Sequence, residues 1–392
     1  MREALTRGFI AVWCAGFLLQ GAYWIATTVL QWQVAIIPGA TPKDLGTLYF
    51  AQLVPMMIMT PLAGAMVDRV NRKLILVCSL AAISAIGAIG ALLNDSAALT
   101  FAACLTLGAA IGVILAVQSP TFHVLIPGMV PAKSLSPAVS LYAVAQNGNR
   151  MIGPVIAGAL LVLGGVSLAL WWVVAIAAVG VLAVWFIPHR PIVRPAVKEG
   201  LLAQFGGGFA VLGRQPAIRR AIVLVAVNCG LALSYASMLS IVATEMGVGE
   251  RGFSLLMGAS GLGALVGALV PYPPVRRLVD VTWLFLISIA GLAGLAFSPT
   301  LLPAVVCSFV ISGAGISVNT RLNVMVQRQL TDDVRGRVMS LYSWAWGGSL
   351  PLGGLLLGYI GEATSVSTAF LVLAGLLAAT AVFNAVTARR LD

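Results

Sequence analysis

The sequence predicts an all-α membrane protein: twelve transmembrane helices in two pseudo-symmetric six-helix halves. Three observations carry that reading. Of 392 residues, 60% are hydrophobic and only 9% charged, too few polar groups to cover a soluble surface of that size. The basic residues gather in every second gap between long apolar runs, which the positive-inside rule makes the cytoplasmic gaps. A segment of the first half also recurs in the second. Ser140-Leu141-Tyr142 returns as Ser340-Leu341-Tyr342, and Ala145, Gly148, Gly153 and Gly158 match Ala345, Gly348, Gly353 and Gly358 at the same offset, the mark of an internal repeat.

The apolar runs, taken in order, approach or exceed the ~20 residues that cross a bilayer as helix. The first covers 8–36. Arg2 and Arg7 ahead of it mimic a signal peptide, but no small-residue cleavage site follows and the run continues through Trp32, so it reads as a membrane helix. Runs at 45–67, 74–93, 97–122, 136–163 and 167–188 complete the first half. The second half repeats the count at 219–243, 253–271, 281–298, 300–324, 336–360 and 367–388. Three parts result: a six-helix half at 1–188, a cytoplasmic linker at 189–218, and a second half at 219–392. Within the linker, Leu201 to Leu212 is apolar and holds Gly206, Gly207 and Gly208, which reads as a short interfacial helix. Arg69, Arg72, Lys73, Arg190, Arg219, Arg220, Arg276, Arg277, Arg335 and Arg337 mark the inner gaps. Asp44, Asp95, Glu245, Glu250 and Glu362 mark the outer ones. Both termini are predicted to be cytoplasmic.

The same residues exclude other classes. A net charge of +11 does not imply nucleic acid, because the cations follow the loops and are not interleaved with stacking aromatics. Cys14, Cys78, Cys104, Cys229 and Cys307 lie in apolar runs without paired spacing, as buried small hydrophobes do. No phosphate loop, zinc helix or nucleophile elbow is present, and the two histidines are isolated. The expectation is a protein that is not an enzyme and needs no metal or other cofactor.

Between the second and third runs stands a polar gap, Gly64-Ala65-Met66-Val67-Asp68-Arg69-Val70-Asn71-Arg72-Lys73. Asp68 is expected to open the next helix at its positive dipole end, with Arg72 one turn on. The pattern GxxxDRxxRK resembles the loop between helices 2 and 3 of the major facilitator superfamily of secondary transporters. That resemblance implies a gating loop made of Gly64, Asp68, Arg69, Arg72 and Lys73; the plainer alternative is a basic loop that only sets topology. The second copy, Pro274 to Asp280, keeps charge but not the pattern.

Further runs narrow the resemblance, which spans almost the whole chain. Ile126 to Pro131, Arg150-Met151-Ile152-Gly153-Pro154 through Gly158, and Asp333-Val334-Arg335-Gly336-Arg337-Val338-Met339 resemble the enterobactin-exporter and macrolide-efflux branch. The run Gly153, Pro154 and Gly158 resembles the antiporter signature of helix 5. Physically it removes bulk and one backbone donor, permitting close packing and a bend; plain helix packing would explain it equally. The branch implies a small-molecule substrate moved across a bacterial cytoplasmic membrane by a multi-pass monomer, with a coupling proton. Here every one of the 12 acidic residues falls in a loop, at a helix end or near a terminus. No midplane carboxylate is available to carry that proton, and the role falls to Asp68, His123 or the substrate.

Arg150, four turns into its helix, is the costliest residue in the membrane. It reads either as a substrate anchor or as a tie to helix carbonyls. On the first helix Gln20, Trp24, Thr27 and Gln31 recur at spacings of three and four and share one face, with Tyr23 beside them. By resemblance, helices 1, 4, 7 and 10 line the cavity, which adds Gln118, Asn228, Tyr235 and Asn319 as substrate-binding candidates. The resulting expectation is an exporter of a siderophore-like or other amphipathic organic molecule working by alternating access. A macrolide-like drug pump, a siderophore importer, a lipid flippase or a non-transporting receptor on the same fold are the alternatives.

Overall fold

A computed structural model of the protein describes residues 6–131, 134–187, 209–269 and 281–388, with some side chains inside the helices also left undescribed. Among the described residues all regular structure is helical. The first helices are α1 (Arg7–Ile36), α2 (Pro42–Arg69), α3 (Arg72–Asp95) and α4 (Phe101–Met129). The helical stretch Leu135–Trp185 breaks at Gly164 and Gly165, where φ is +69° at Gly165, a conformation that glycine adopts without a Cβ penalty. The break divides it into α5 (135–163) and α6 (166–185), the two spans the sequence separates there.

The second series begins with α7 (Pro216–Glu245), followed by α8 (Gly249–Leu269), α9 (Thr282–Ala296), α10 (Leu301–Gln329), α11 (Asp332–Ala363) and α12 (Val366–Ala388). The twelve predicted spans therefore have twelve counterparts. Their ends differ where side chains cap them. Thr41 and Asp44 form a reciprocal capping box, with Asp44 Oδ2 accepting from the Thr41 amide at 3.0 Å and Thr41 Oγ1 accepting from the Asp44 amide at 3.4 Å. This starts α2 ahead of the apolar run. At α4 the expected start at residue 97 moves to Phe101, because Ala97 lies at φ 55° and Thr100 Oγ1 caps the Ala103 amide.

The chain forms two compact units, one of Met1–Pro38 with Ala51–Ala196, the other of Gly39–Phe50 with Val197–Asp392. In both, large apolar side chains such as Leu163, Leu182, Trp185, Trp283 and Leu302 face outward. Polar residues such as Gln52, Gln118, Asn228 and Asn384 are buried among the apolar core, as expected where the surroundings are lipid.

In the first unit α1 lies against α5. A Cβ on Gly153 would run into Trp24, while Trp13 Nε1 donates to the Leu141 carbonyl at 3.1 Å and Asn149 Nδ2 to that of Phe17 at 3.0 Å. The repeat partner in the second unit does the same for α7: Gly353 of α11 sits against the backbone of Gly230. The two tyrosines of the repeat also correspond. Tyr142 meets Phe122 of α4 at 5.0 Å with the rings tilted by 30°, and Tyr342 donates to the Asn319 carbonyl of α10 at 2.7 Å. Each unit also closes its last helix with a cation, favourable at a helix C-terminus. Lys73 Nζ donates to the carbonyls of Trp185 and Ile187 at 3.1 and 3.0 Å, and Arg220 to that of Asn384 at 2.8 Å.

The helix α7 departs from the single regular span that its apolar sequence predicts. Its α-helical start, Pro216–Val227, gives way to a π-turn at Asn228–Ala232, a 3-10 segment at Leu233–Met238 and a final α-helical stretch Leu239–Glu245. Such turns are rare and concentrate at functional positions.

Candidate functional site

In the first unit the predicted face of α1 is buried. Gln20 is 8% exposed, Thr27 4% and Gln31 5%. Tyr23 and Trp24 meet edge to face at 5.2 Å. The Thr27 hydroxyl donates to the Tyr23 carbonyl of its own helix at 3.0 Å, so it seals backbone and presents no free donor. Gln31 Nε2 reaches Gln52 Oε1 of α2 at 3.4 Å, and Gln52 Nε2 reaches the Thr27 carbonyl at 3.5 Å. Gln52 is absent from the sequence-level candidates because helix 2 is not among the four cavity helices. An amide in the middle of an apolar span was the signal available.

Gln118 of α4 is 1% exposed, and among the described residues neither its Oε1 nor its Nε2 has a hydrogen-bond partner; the same holds for Oε1 of Gln20 and of Gln31. Buried amides left this way are sites for water or ligand. Arg150 is half-buried on α5, its guanidinium carbon 5.7 Å from the Trp24 ring centroid, a cation–π placement. Among the described residues no carboxylate pairs with it. Gly153, Pro154 and Gly158 are buried one to two turns further along α5, and α5 continues through Pro154 as helix.

In the second unit Asn228 and Asn319 are brought together across the π-turn. Asn228 Nδ2 donates to Asn319 Oδ1 at 3.0 Å and to the Gly315 carbonyl at 2.8 Å, and Asn319 Nδ2 donates to Cys229 Sγ at 3.3 Å. Asn228 Oδ1 has no hydrogen-bond partner among the described residues. Tyr235 goes elsewhere, donating to the Ser308 carbonyl at 2.7 Å beside Ser312, which in turn meets Ser260 at 2.8 Å. That hydroxyl chain locks α7, α8 and α10 together.

The side chains of Gly64, Asp68 and Arg69 lie outside the described residues, as does that of His123, and Pro274 to Asp280 lies outside them altogether. The backbone corrects one expectation: Asp68 belongs to the last turn of α2, which ends at Arg69, and the cap of α3 is Asn71, whose Oδ1 accepts from the Lys73 amide at 3.0 Å. The helical propensity of Ala65 to Arg69 carries α2 past the polar boundary, and Asn71, a strong N-cap residue, begins the next helix. Arg72 is half-buried at the head of α3, and Lys73 caps α6 as described.

Comparison with known proteins identifies the family and the fold. The family model described as transmembrane secretion effector matches residues 5–392. The Staphyloferrin A transporter of Staphylococcus aureus is 24% identical over 372 residues, covering 92% of this chain and 91% of the relative. An uncharacterized MFS-type transporter of Bacillus subtilis, YfiS, is 24% identical over 362 residues, covering 86% and 83%. Among solved structures, nucleoside transporter NupG aligns with a TM-score of 0.72 at 17% identity over 98% of both chains. A bacterial homolog to the human lysosomal transporter Spinster, inward-facing, aligns at 0.71 and 18% over 97% and 95%. The fold is that of transporters and not of enzymes. With twelve helices among the described residues, a repeat shared by α5 and α11, and a family match running almost end to end, the chain belongs to the transmembrane secretion effector family of the major facilitator superfamily.

Proposed function

We propose that the protein exports an amphipathic organic anion of siderophore-like chemistry by alternating access across a bacterial cytoplasmic membrane. On this reading it is a monomer with both termini inside, its six-helix halves at 1–188 and 219–392 joined by the linker at 189–218. The observation that carries the proposal is Arg150: a half-buried guanidinium held over Trp24 with no carboxylate partner among the described residues. An unpaired cation in the membrane is costly, and a bound anion relieves that cost. The Staphyloferrin A transporter relative supports the siderophore reading. A pump for lipophilic cations is disfavoured by the lack of any acidic residue near the middle of a span, and the coupling proton is assigned to Asp68, His123 or the substrate.

The test is a transport ratio. Uptake into inverted liposomes is measured for a carboxylate or catecholate substrate and for its neutral ester, in wild type and in Arg150→Gln. The anchor predicts a ratio that collapses in the variant and is partly kept by Arg150→Lys, which retains charge but loses the planar fork. An unchanged ratio with a lowered melting temperature would assign Arg150 to helix carbonyls and retire the proposal.

A further inference from the structure

We propose that Gln20, one helical turn from the Trp24 ring over which Arg150 stands, and Gln118 complete a subsite for a carboxylate that carries a neighbouring hydroxyl. The inference rests on the anion-anchor reading above and adds the second half of the ligand. Its geometry comes from the antiparallel register of α1 and α4. Thr6 Oγ1 donates to the Met129 carbonyl at 2.7 Å near one end of the pair. Further along, a Cβ on Gly16 would lie 2.9 Å from the Phe122 ring. One more turn along α1 and one turn back along α4 bring Gln20 and Gln118 level.

Both side chains are more than nine-tenths buried, and three of their four polar atoms have no partner among the described residues: Gln20 Oε1, Gln118 Oε1 and Gln118 Nε2. Two are acceptors and one is a donor. A hydroxyl, which gives one hydrogen bond and takes others, satisfies Gln118 Nε2 and one of the two oxygens; a second carboxylate can satisfy neither oxygen, because it only accepts. An apolar group would leave all three atoms unpaired, the expensive outcome.

The cation is adjacent. Trp24 follows Gln20 by four residues, so the two share a face of α1 about 5–6 Å apart, and Arg150 stands over Trp24. On the α5 side, a Cβ at Gly21 would lie 3.2 Å from Asn149 Oδ1, so the residue before Arg150 already touches the same turn. Arg150 offers a planar fork to the carboxylate, and the two amides offer one donor and two acceptors to the hydroxyl beside it. By contrast Gln31, further along α1, is bonded to Gln52 of α2.

Citrate and tricarballylate, identical but for one hydroxyl, are the probes. Affinities are measured by calorimetry on the full-length protein in detergent. Wild type is expected to bind citrate roughly tenfold tighter, the worth of one buried hydrogen bond. Gln118→Leu or Gln20→Leu is expected to bring the ratio to about one. Arg150→Gln should weaken both probes alike. Equal affinities in wild type, which need no variant to fold, would mean that the amides hold only water and would overturn the subsite while leaving the anchor intact. An Arg150→Gln protein that binds both probes as wild type does, with the ratio preserved, would sink the anchor and keep the hydroxyl contact. Failure to bind either probe would overturn both.

Discussion

Alanine at Gly353 is expected to destabilise the protein by about 2–3 kcal/mol, whereas alanine at Gly230, its partner across the same contact, should change stability by no more than ~0.5 kcal/mol. The asymmetry comes from where each new methyl would point. On Gly353 the Cβ would lie 2.7 Å from the carbonyl carbon of Gly230 and 2.8 Å from its Cα, with the carbonyl oxygen nearer still. Ordinary carbon contacts begin near 3.5 Å, so α11 and the π-turn of α7 would have to part by about 1 Å. Both obstacles are backbone, which cannot rotate aside, and overpacking costs of ~1–3 kcal/mol apply toward their upper end. The displaced turn also carries Asn228, whose amide bridges to Gly315 and Asn319. On Gly230 the Cβ would meet the Ser349 carbonyl oxygen at 3.4 Å and its Cβ at 3.7 Å, which is normal packing. Reversible unfolding in mixed micelles with denaturing detergent, followed by tryptophan fluorescence, measures both variants. Equal losses at the two positions, or a Gly353→Ala protein as stable as wild type, would show that the close approach does not limit packing here.

Three further outcomes are expected. Replacing Lys73 with Met should cost about 1 kcal/mol, since two charge-assisted bonds to the end of α6 are lost from a half-exposed site; Lys73→Arg should restore most of the loss, and the same unfolding assay decides. Asp68→Asn should leave expression and membrane insertion unchanged while transport falls steeply, and normal transport by the well-expressed variant would refute the gating role carried by the loop resemblance. Trp24→Ala and Gln31→Ala should weaken substrate binding in detergent, while Trp172→Ala, at a position 45% exposed on α6, should not; equal losses at all three would point to general destabilisation.

The spans were legible because lipid imposes a simple rule on them: an apolar run of sufficient length must be helical. Their ends were less so. The capping box of Thr41 and Asp44 starts α2 within residues that hydropathy assigns to a loop, and Asn71 takes the cap expected of Asp68. The break in α7 left no trace in composition, since Asn228-Cys229-Gly230-Leu231-Ala232 is as apolar as its surroundings apart from one amide. That turn depends on tertiary contacts, namely Gly353 against Gly230 and Asn228 against α10, and these join residues far apart in sequence. On the candidate face, spacing alone grouped Gln20, Trp24, Thr27 and Gln31. Which of those polar atoms are already spent, as in Thr27, and which are left open, as in Gln20, required the neighbours.

The π-turn also supplies the protein with a native reporter of its own state. Cys229 lies within it, fully buried, with its sulfur accepting from Asn319, so a thiol reagent reaches it only when the turn opens. Cys78 on α3 is exposed and offers a second thiol in a different unit for comparison. The rate at which a maleimide labels Cys229, with and without substrate, therefore reads the opening equilibrium of α7 directly, in the unmodified chain and without an engineered label.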